Sequence, residues 1–245
     1  MNQKIIRIGF VGIILTSLVA ASPLHAATFR ATSKIFQGAN LNAEANHLLL
    51  FDEGLVYDLP QIRSRFITVF DEAQQQVTLL DRQTRVQTRI LTDDLLKISA
   101  QVRAQATEAQ KETFGLEAIV KPSTRVIGYA IKFGNLEYNA TTQKSEDTSK
   151  ATDYGRFFDL ASRLNIFRKL GAPPFGRMTL NQHIMAAGEI PLEVMLTRRY
   201  EDKSQEFRLT LEIDEMRPGD REKINEVIGM LNLYKTVQPK EFPRE

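Results

Sequence analysis

Residues 66–91 read FITVFDEAQQQVTLLDRQTRVQTRIL. Three short runs rich in β-branched and aromatic residues, Phe66 to Phe70, Val77 to Leu80 and Val86 to Ile90, are separated by polar turns at Asp71 to Gln75 and Asp81-Arg82-Gln83. In the last run Val86, Thr88 and Ile90 point one way, while Arg85, Gln87 and Arg89 point the other. Period two with one apolar and one charged face is the pattern of an antiparallel sheet wetted on one side. The first two runs differ, because they carry apolar residues on both faces, as does Val126 to Phe133. Strands of that kind need cover on both sides, from helices or from a ligand.

Working outward, residues 28–37 read as extended. The run Leu48-Leu49-Leu50-Phe51 stops at Asp52-Glu53-Gly54 and resumes as Leu55-Val56-Tyr57 up to Pro60, which predicts a hairpin. On the other side Thr92 is placed as a helix N-cap with Asp93 and Asp94 in the first turn. Leu95, Ile98, Val102, Ala106 and Ala109 then predict one amphipathic helix over 93–112. Strands follow over 125–133 and 136–141 around Gly134-Asn135, then an exposed loop over 142–151. A second helix over 152–170 carries Phe157, Leu160, Ala161, Leu164 and Phe167 on one face; Gly171 ends it and Pro173-Pro174 stops it restarting. A short helix over 179–187, a hairpin of 194–200 with 207–213, and a helix from Asp220 with Ile224, Val227, Ile228 and Leu231 in a stripe complete the chain. Three amphipathic helices can cover one side of the sheet. No linker interrupts the pattern, so residues 27–245 are expected to form one α+β domain.

The chain has 245 residues, no cysteine and no tryptophan. Met1 to Arg7 is basic, Ile8 to Ala21 is apolar and uncharged, and Ser22-Pro23-Leu24-His25-Ala26 ends in a small residue. That is the layout of a secretory signal over residues 1–26, with Ala27 as the mature start and a periplasmic or secreted location. The apolar run is shorter than the roughly 20 residues that span a bilayer, and no other stretch is long enough. Lys4 and Arg7 account for the whole excess of 32 Lys+Arg over 30 Asp+Glu. A neutral mature chain argues against nucleic acid as a partner, since phosphate binding needs a basic surface.

Reactive chemistry finds little support. Without cysteine there is no disulfide, thiolate metal site or lipid-modified N-terminal Cys. His47 and His183 stand apart, where a zinc site needs three or four clustered ligands. The acidic pairs Asp52-Glu53, Asp71-Glu72, Asp93-Asp94, Glu201-Asp202 and Asp214-Glu215 fall at turns, strand ends or a helix start, where acids serve local roles. Arg82, Arg85 and Arg89 form a basic row that Arg198, Arg199 and Arg208 would extend if the hairpins share a sheet. An anionic site is the functional reading, and a solvated face with cross-strand acids is the favoured one. Asn139-Ala140-Thr141 matches a glycosylation sequon, a motif short enough to arise by chance. No glycine-rich phosphate loop, G-x-S-x-G or H-E-x-x-H occurs. No cofactor, metal or catalytic residue is expected.

Two segments carry a resemblance. Gly188-Glu189-Ile190-Pro191-Leu192-Glu193-Val194, leading into an alternating hairpin through Ile213, resembles the glycine-, proline- and hydrophobic-bearing lead-in to a late strand of the LolA/LolB-like periplasmic lipoprotein carriers. Leu50 to Asp58, continued through Leu80-Asp81, is similar to their early hairpins. The resemblance implies a curved antiparallel half-barrel with amphipathic helices packed on its concave face, and an apolar ligand. The chain departs from the carriers in lacking their opening helix and the anchoring Cys of the receptor form. The expected function is non-enzymatic binding or carriage of a lipid acyl chain or lipoprotein in the cell envelope. The alternative is an envelope interaction module with a fully packed core. Phe66, Phe70, Leu79, Tyr129, Phe157 and Phe158 are the candidate ligand-facing side chains. An enzyme stands third, and would require carboxylates gathered with His47 or His183 in one pocket.

Overall fold

The computed structural model describes residues 27–62 and 65–243; the expected signal segment lies outside them. Six strands come first: β1 (Phe29–Gln37), β2 (Ala45–Asp52), β3 (Leu55–Pro60), β4 (Phe66–Asp71), β5 (Gln76–Asp81) and β6 (Val86–Leu91). Helices α1 (Thr92–Ala104) and α2 (Glu108–Phe114) follow, then β7 (Lys121–Pro122), β8 (Gly128–Phe133) and β9 (Leu136–Lys144). The remainder is α3 (Thr148–Arg168), α4 (Phe175–Ala186), β10 (Glu189–Arg199), β11 (Ser204–Asp214), α5 (Pro218–Leu233) and β12 (Lys235–Thr236).

All strands belong to one curved sheet that does not close, in the order β12-β6-β5-β4-β3-β2-β1-β11-β10-β9-β8-β7. Two antiparallel meanders meet where β1 pairs with β11, from Arg30 opposite Asp214 to Gln37 opposite Phe207. Only β12 runs parallel to its neighbour, β6, among the described strands. Each edge is a two-residue strand, and Pro122 offers no backbone donor, so neither edge is a long template for another chain. The fold is thus the expected α+β curved sheet.

Local chemistry explains most elements. At the β2–β3 turn both Glu53 and Gly54 take positive φ, +50° and +86°, which matches the right-handed twist of the paired strands. The β4–β5 and β5–β6 turns are built alike: Asp71 accepts from the Gln74 N–H and Asp81 from the Gln83 N–H, and Gln75 and Arg85 close them in the left-handed region. Gly128 has φ +147°, and a Cβ there would lie 2.1 Å from the Ala140 carbonyl oxygen, so β8 and β9 can meet here only through glycine.

Five boundaries differ from expectation. The helix expected over 93–112 is two helices, because Thr107 and Gln110 form a capping box that starts α2. Leu91, not Thr92, is the N-cap of α1; the Thr92 hydroxyl donates instead to the Gln75 carbonyl. The expected loop over 142–151 is the end of β9, paired to Glu189–Pro191, and the first turn of α3, capped by Asp147. α3 stops at Lys169, itself left-handed at φ +59°, before Gly171 is reached. α4 begins immediately after Pro174, since the first N–H groups of a helix need no intrahelical partner and proline costs nothing there.

The two faces of the sheet are covered by different helices. On the inner face, Phe29, Leu49, Phe51, Phe70, Val77, Leu79 and Ile90 pack against Ala151, Tyr154, Phe157 and Leu164 of α3 and Leu95 of α1. Further along that face, Leu180 and Ile184 of α4 pack on Ile131, Ala140 and Val194. On the outer face, Leu48, Leu50, Tyr57, Leu59, Ile67, Val69 and Leu80 pack against Ile224 and Val227 of α5. The third amphipathic helix therefore covers the second side. Gln87, expected on a wetted face, is buried, and its amide donates to the Leu231 and Tyr234 carbonyls at the end of α5.

The start of α5 is held by charge. Asp220, 1% exposed, accepts from Arg30 on β1 at 3.0 Å and from the Arg217 backbone N–H at 3.0 Å. Arg221 adds an ion pair to Asp52 at the end of β2. Replacing one partner of a buried, hydrogen-bonded pair strands the other, at a cost of about 3–5 kcal/mol. Asp220→Ala is therefore expected to lower stability by about that amount in chemical denaturation, well beyond the effect of Asp202→Ala in the exposed β10–β11 turn. Equal effects would show that α5 does not depend on this anchor.

Candidate functional site

Helix α3 runs along the inner face, and a cavity opens on each side of it. The first, of about 400 Å³, has an apolar floor of Phe51, Val56, Phe70, Phe157 and Leu160. The aromatic part is tightly ordered: Phe29 stacks on Phe51 at 4.1 Å between centroids, and Phe157 meets Phe51 and Phe70 edge-on at 5.9 and 5.1 Å. Its rim is polar, with Glu72, Asp93, Asp153, Arg156 and Gln182. Arg156 is tied to Glu72 at 2.6 Å across the mouth. Asp153 accepts the Ala27 backbone N–H at 2.8 Å, and burial pushes its carboxyl above the usual aspartate range, an effect the Ala27 bond partly offsets.

The second cavity, of about 680 Å³, lies under the C-terminal half of α3. Phe66, Phe70 and Leu164 line it together with His47, Asp58, Arg65 and Arg168. Two guanidinium groups lie over the Phe66 ring, those of Arg65 at 4.9 Å and Arg168 at 5.3 Å. His47 is half-buried, with Nδ1 at 2.6 Å from Asp58 Oδ1 on the adjacent strand. Its counterpart His183 packs edge-on against the Tyr129 ring at 4.6 Å on α4. The two histidines thus sit on different elements, as polar side chains with local partners.

Of the candidate side chains, Phe66, Phe70 and Phe157 come together around α3, and Phe70 is common to both cavities. Leu79 is buried beneath them in the core and borders neither cavity. Tyr129 lies elsewhere, on β8, with its hydroxyl 3.4 Å from Glu189 and its ionisation pushed up by burial. Phe158 lies under the Arg177 guanidinium at 4.3 Å. Sequence reading missed Phe51, whose place in the LLLF run could have marked it. It also missed Asp153 and Arg177, for which no local signal exists.

The arginine row is not one site. Arg82, Arg85 and Arg89 lie at β6, with five strands between it and β11, which carries Arg208. At about 4.8 Å per strand the two groups are about 29 Å apart. Arg199 pairs with Glu137, and Arg208 reaches Glu193 at 3.8 Å, so the C-terminal group is satisfied by cross-strand acids. Four of the acidic-pair residues are likewise spent locally, with Asp52 on Arg221, Glu72 on Arg156, Asp94 on Lys97 and Asp214 on Arg217.

Arg177 on α4 is different. It is 5% exposed, and its Nη1 and Nη2 meet no hydrogen-bond acceptor among the described residues. Its surroundings are Phe158, Tyr154 and Tyr138, and burial lowers its affinity for the proton. A buried cation without a carboxylate keeps its desolvation cost uncompensated, and an apolar chain of similar length avoids that cost. Arg177→Met is expected to raise the thermal midpoint, and a lowered midpoint would show that the guanidinium has a stabilising partner. No protein-family model and no curated protein matches the chain, so the reading of this site rests on its own geometry.

Proposed function

We propose that this is an exported, non-enzymatic envelope protein that binds or carries an apolar ligand, the acyl chain of a lipid or lipoprotein, between α3 and the inner face of the sheet. The observation that carries the reading is the first cavity: an aromatic and aliphatic floor beneath a polar rim, at about 400 Å³. That size lies within the range of about 300–1,000 Å³ usual for small-molecule sites, and the lining matches their mostly apolar character. The second cavity adds room on the far side of Phe70. The signal-like pattern of residues 1–26 and the resemblance to lipoprotein carriers support the same reading from the sequence. Both faces of the sheet are covered by helices, so the ligand is not needed to hide an open sheet; its place is beside α3.

The test is saturable binding of a fluorescent fatty acid to the purified protein, with native mass spectrometry of the protein as isolated. Leu160, half-buried on the cavity floor, is the position to change. Leu160→Arg introduces charge into the cavity and is expected to weaken binding at least about tenfold, roughly 1.4 kcal/mol. No bound lipid and no saturable binding would sink the proposal. The interaction-module reading would then gain, and Ile127, 88% exposed beside the β7–β8 edge, is where a protein partner would be sought.

A further inference from the structure

Ala27 is 9% exposed and packs in the inner-face core, yet its backbone nitrogen is aimed at a carboxylate: it donates to Asp153 Oδ2 at 2.8 Å. Asp153 lies on α3 and lines the first cavity, as Ala27 does. The charged groups around it are Glu72 at the β4–β5 turn, Asp147 at the start of α3, and Arg156. Two of these are acids, and the cation Arg156 is engaged by Glu72. A half-buried carboxylate among acids, whose ionisation burial already disfavours, is short of positive charge. Independently, the residue pattern at the N-terminus places signal cleavage between Ala26 and Ala27.

We propose that cleavage creates an α-ammonium at Ala27 that docks on Asp153 as a half-buried ion pair and completes the wall of the α3 cavity. The inference rests on the export reading. Hydrolysis of the Ala26–Ala27 bond adds water, leaves a carboxylate on Ala26 and gives Ala27 a protonated amine. One neutral N–H donor becomes a cationic one at the same place, and charge-assisted hydrogen bonds are roughly twice as strong as neutral ones. The mature chain is then more stable than its precursor, and Asp153 is the residue that senses processing.

The experiment compares the protein exported by a bacterial host with two chains released from an N-terminal fusion, one starting at Ala27 and one retaining residues 22–26. The intact mass of the exported protein is expected to correspond to a start at Ala27; any other start overturns both the export boundary and the proposal. At pH 7 the Ala27 chain is expected to melt about 3–6 °C above the longer one, for a coupling of one to two pK units in a chain of this size. Asp153→Asn is expected to abolish the difference. The pH dependence has a fixed sign. A partner raises the folded pKa of the amine above its ordinary value of about 8, so the extra stability is present below that value for as long as Asp153 is ionised, and is lost as pH rises through the raised one. Equal midpoints at pH 7, or a gap that persists in Asp153→Asn, would overturn the ion pair. These are stability readings on unliganded protein, so they stand or fall separately from fatty-acid binding.

Discussion

The seam between β1 and β11 is the pairing on which the rest of the structure depends. It joins the meander of β1–β6 to that of β7–β11 and makes one twelve-stranded sheet from two smaller ones. Neither meander alone offers a surface as broad as the one on which α3 and α4 lie side by side. The strands at the seam come from opposite ends of the chain, and Arg30 and Asp220, 190 residues apart, lock it from the outer side. Because every β1 side chain alternates between faces, the seam also decides that Phe29 and Ala31 point to α3 while Arg30 points to α5.

A sheet with apolar residues on both faces must be covered twice, and the helices divide that work. α1, α3 and α4 take the inner face and α5 takes the outer one. The division leaves different surfaces behind. α5 covers its side with a packed stripe, a buried aspartate and the Gln87 amide on its last carbonyls, leaving a smaller cavity between Leu59, Ile67, Val227 and Met230. α3 is one helix on a wide curved floor, so room remains along both its flanks. The cavities are a consequence of that geometry, with Phe70 standing between them.

Much of this was legible from residue order. The alternation over residues 85–90, the turn residues at Asp52-Glu53-Gly54 and the stripe of α3 are local signals, and each predicted the element found. Boundaries failed where a local rule had two solutions. Thr92 could cap a helix or bond back to the preceding turn, and it does the latter. The proline pair could keep a helix from restarting or precede a new one, and it precedes α4 directly. Lys169 could adopt the left-handed turn without waiting for Gly171. Of the candidate ligand-facing residues, three gather around α3, because strand alternation and the helix stripe independently pointed at the same side. Tyr129 and Phe158 share their chemistry but not their place.

The sequence by itself determined the class of fold, the polar and apolar face of most elements, and the near balance of 32 basic and 30 acidic side chains. These follow from near neighbours, whose spacing is set by the periods of strand and helix. Only the tertiary structure decided that α5 crosses to the outer face, that the arginine groups stand far apart, that Arg177 is buried without an acid, and that Asp153 meets the Ala27 nitrogen. Each joins residues distant in the chain. Their meeting depends on strand order and helix placement, which no local period encodes.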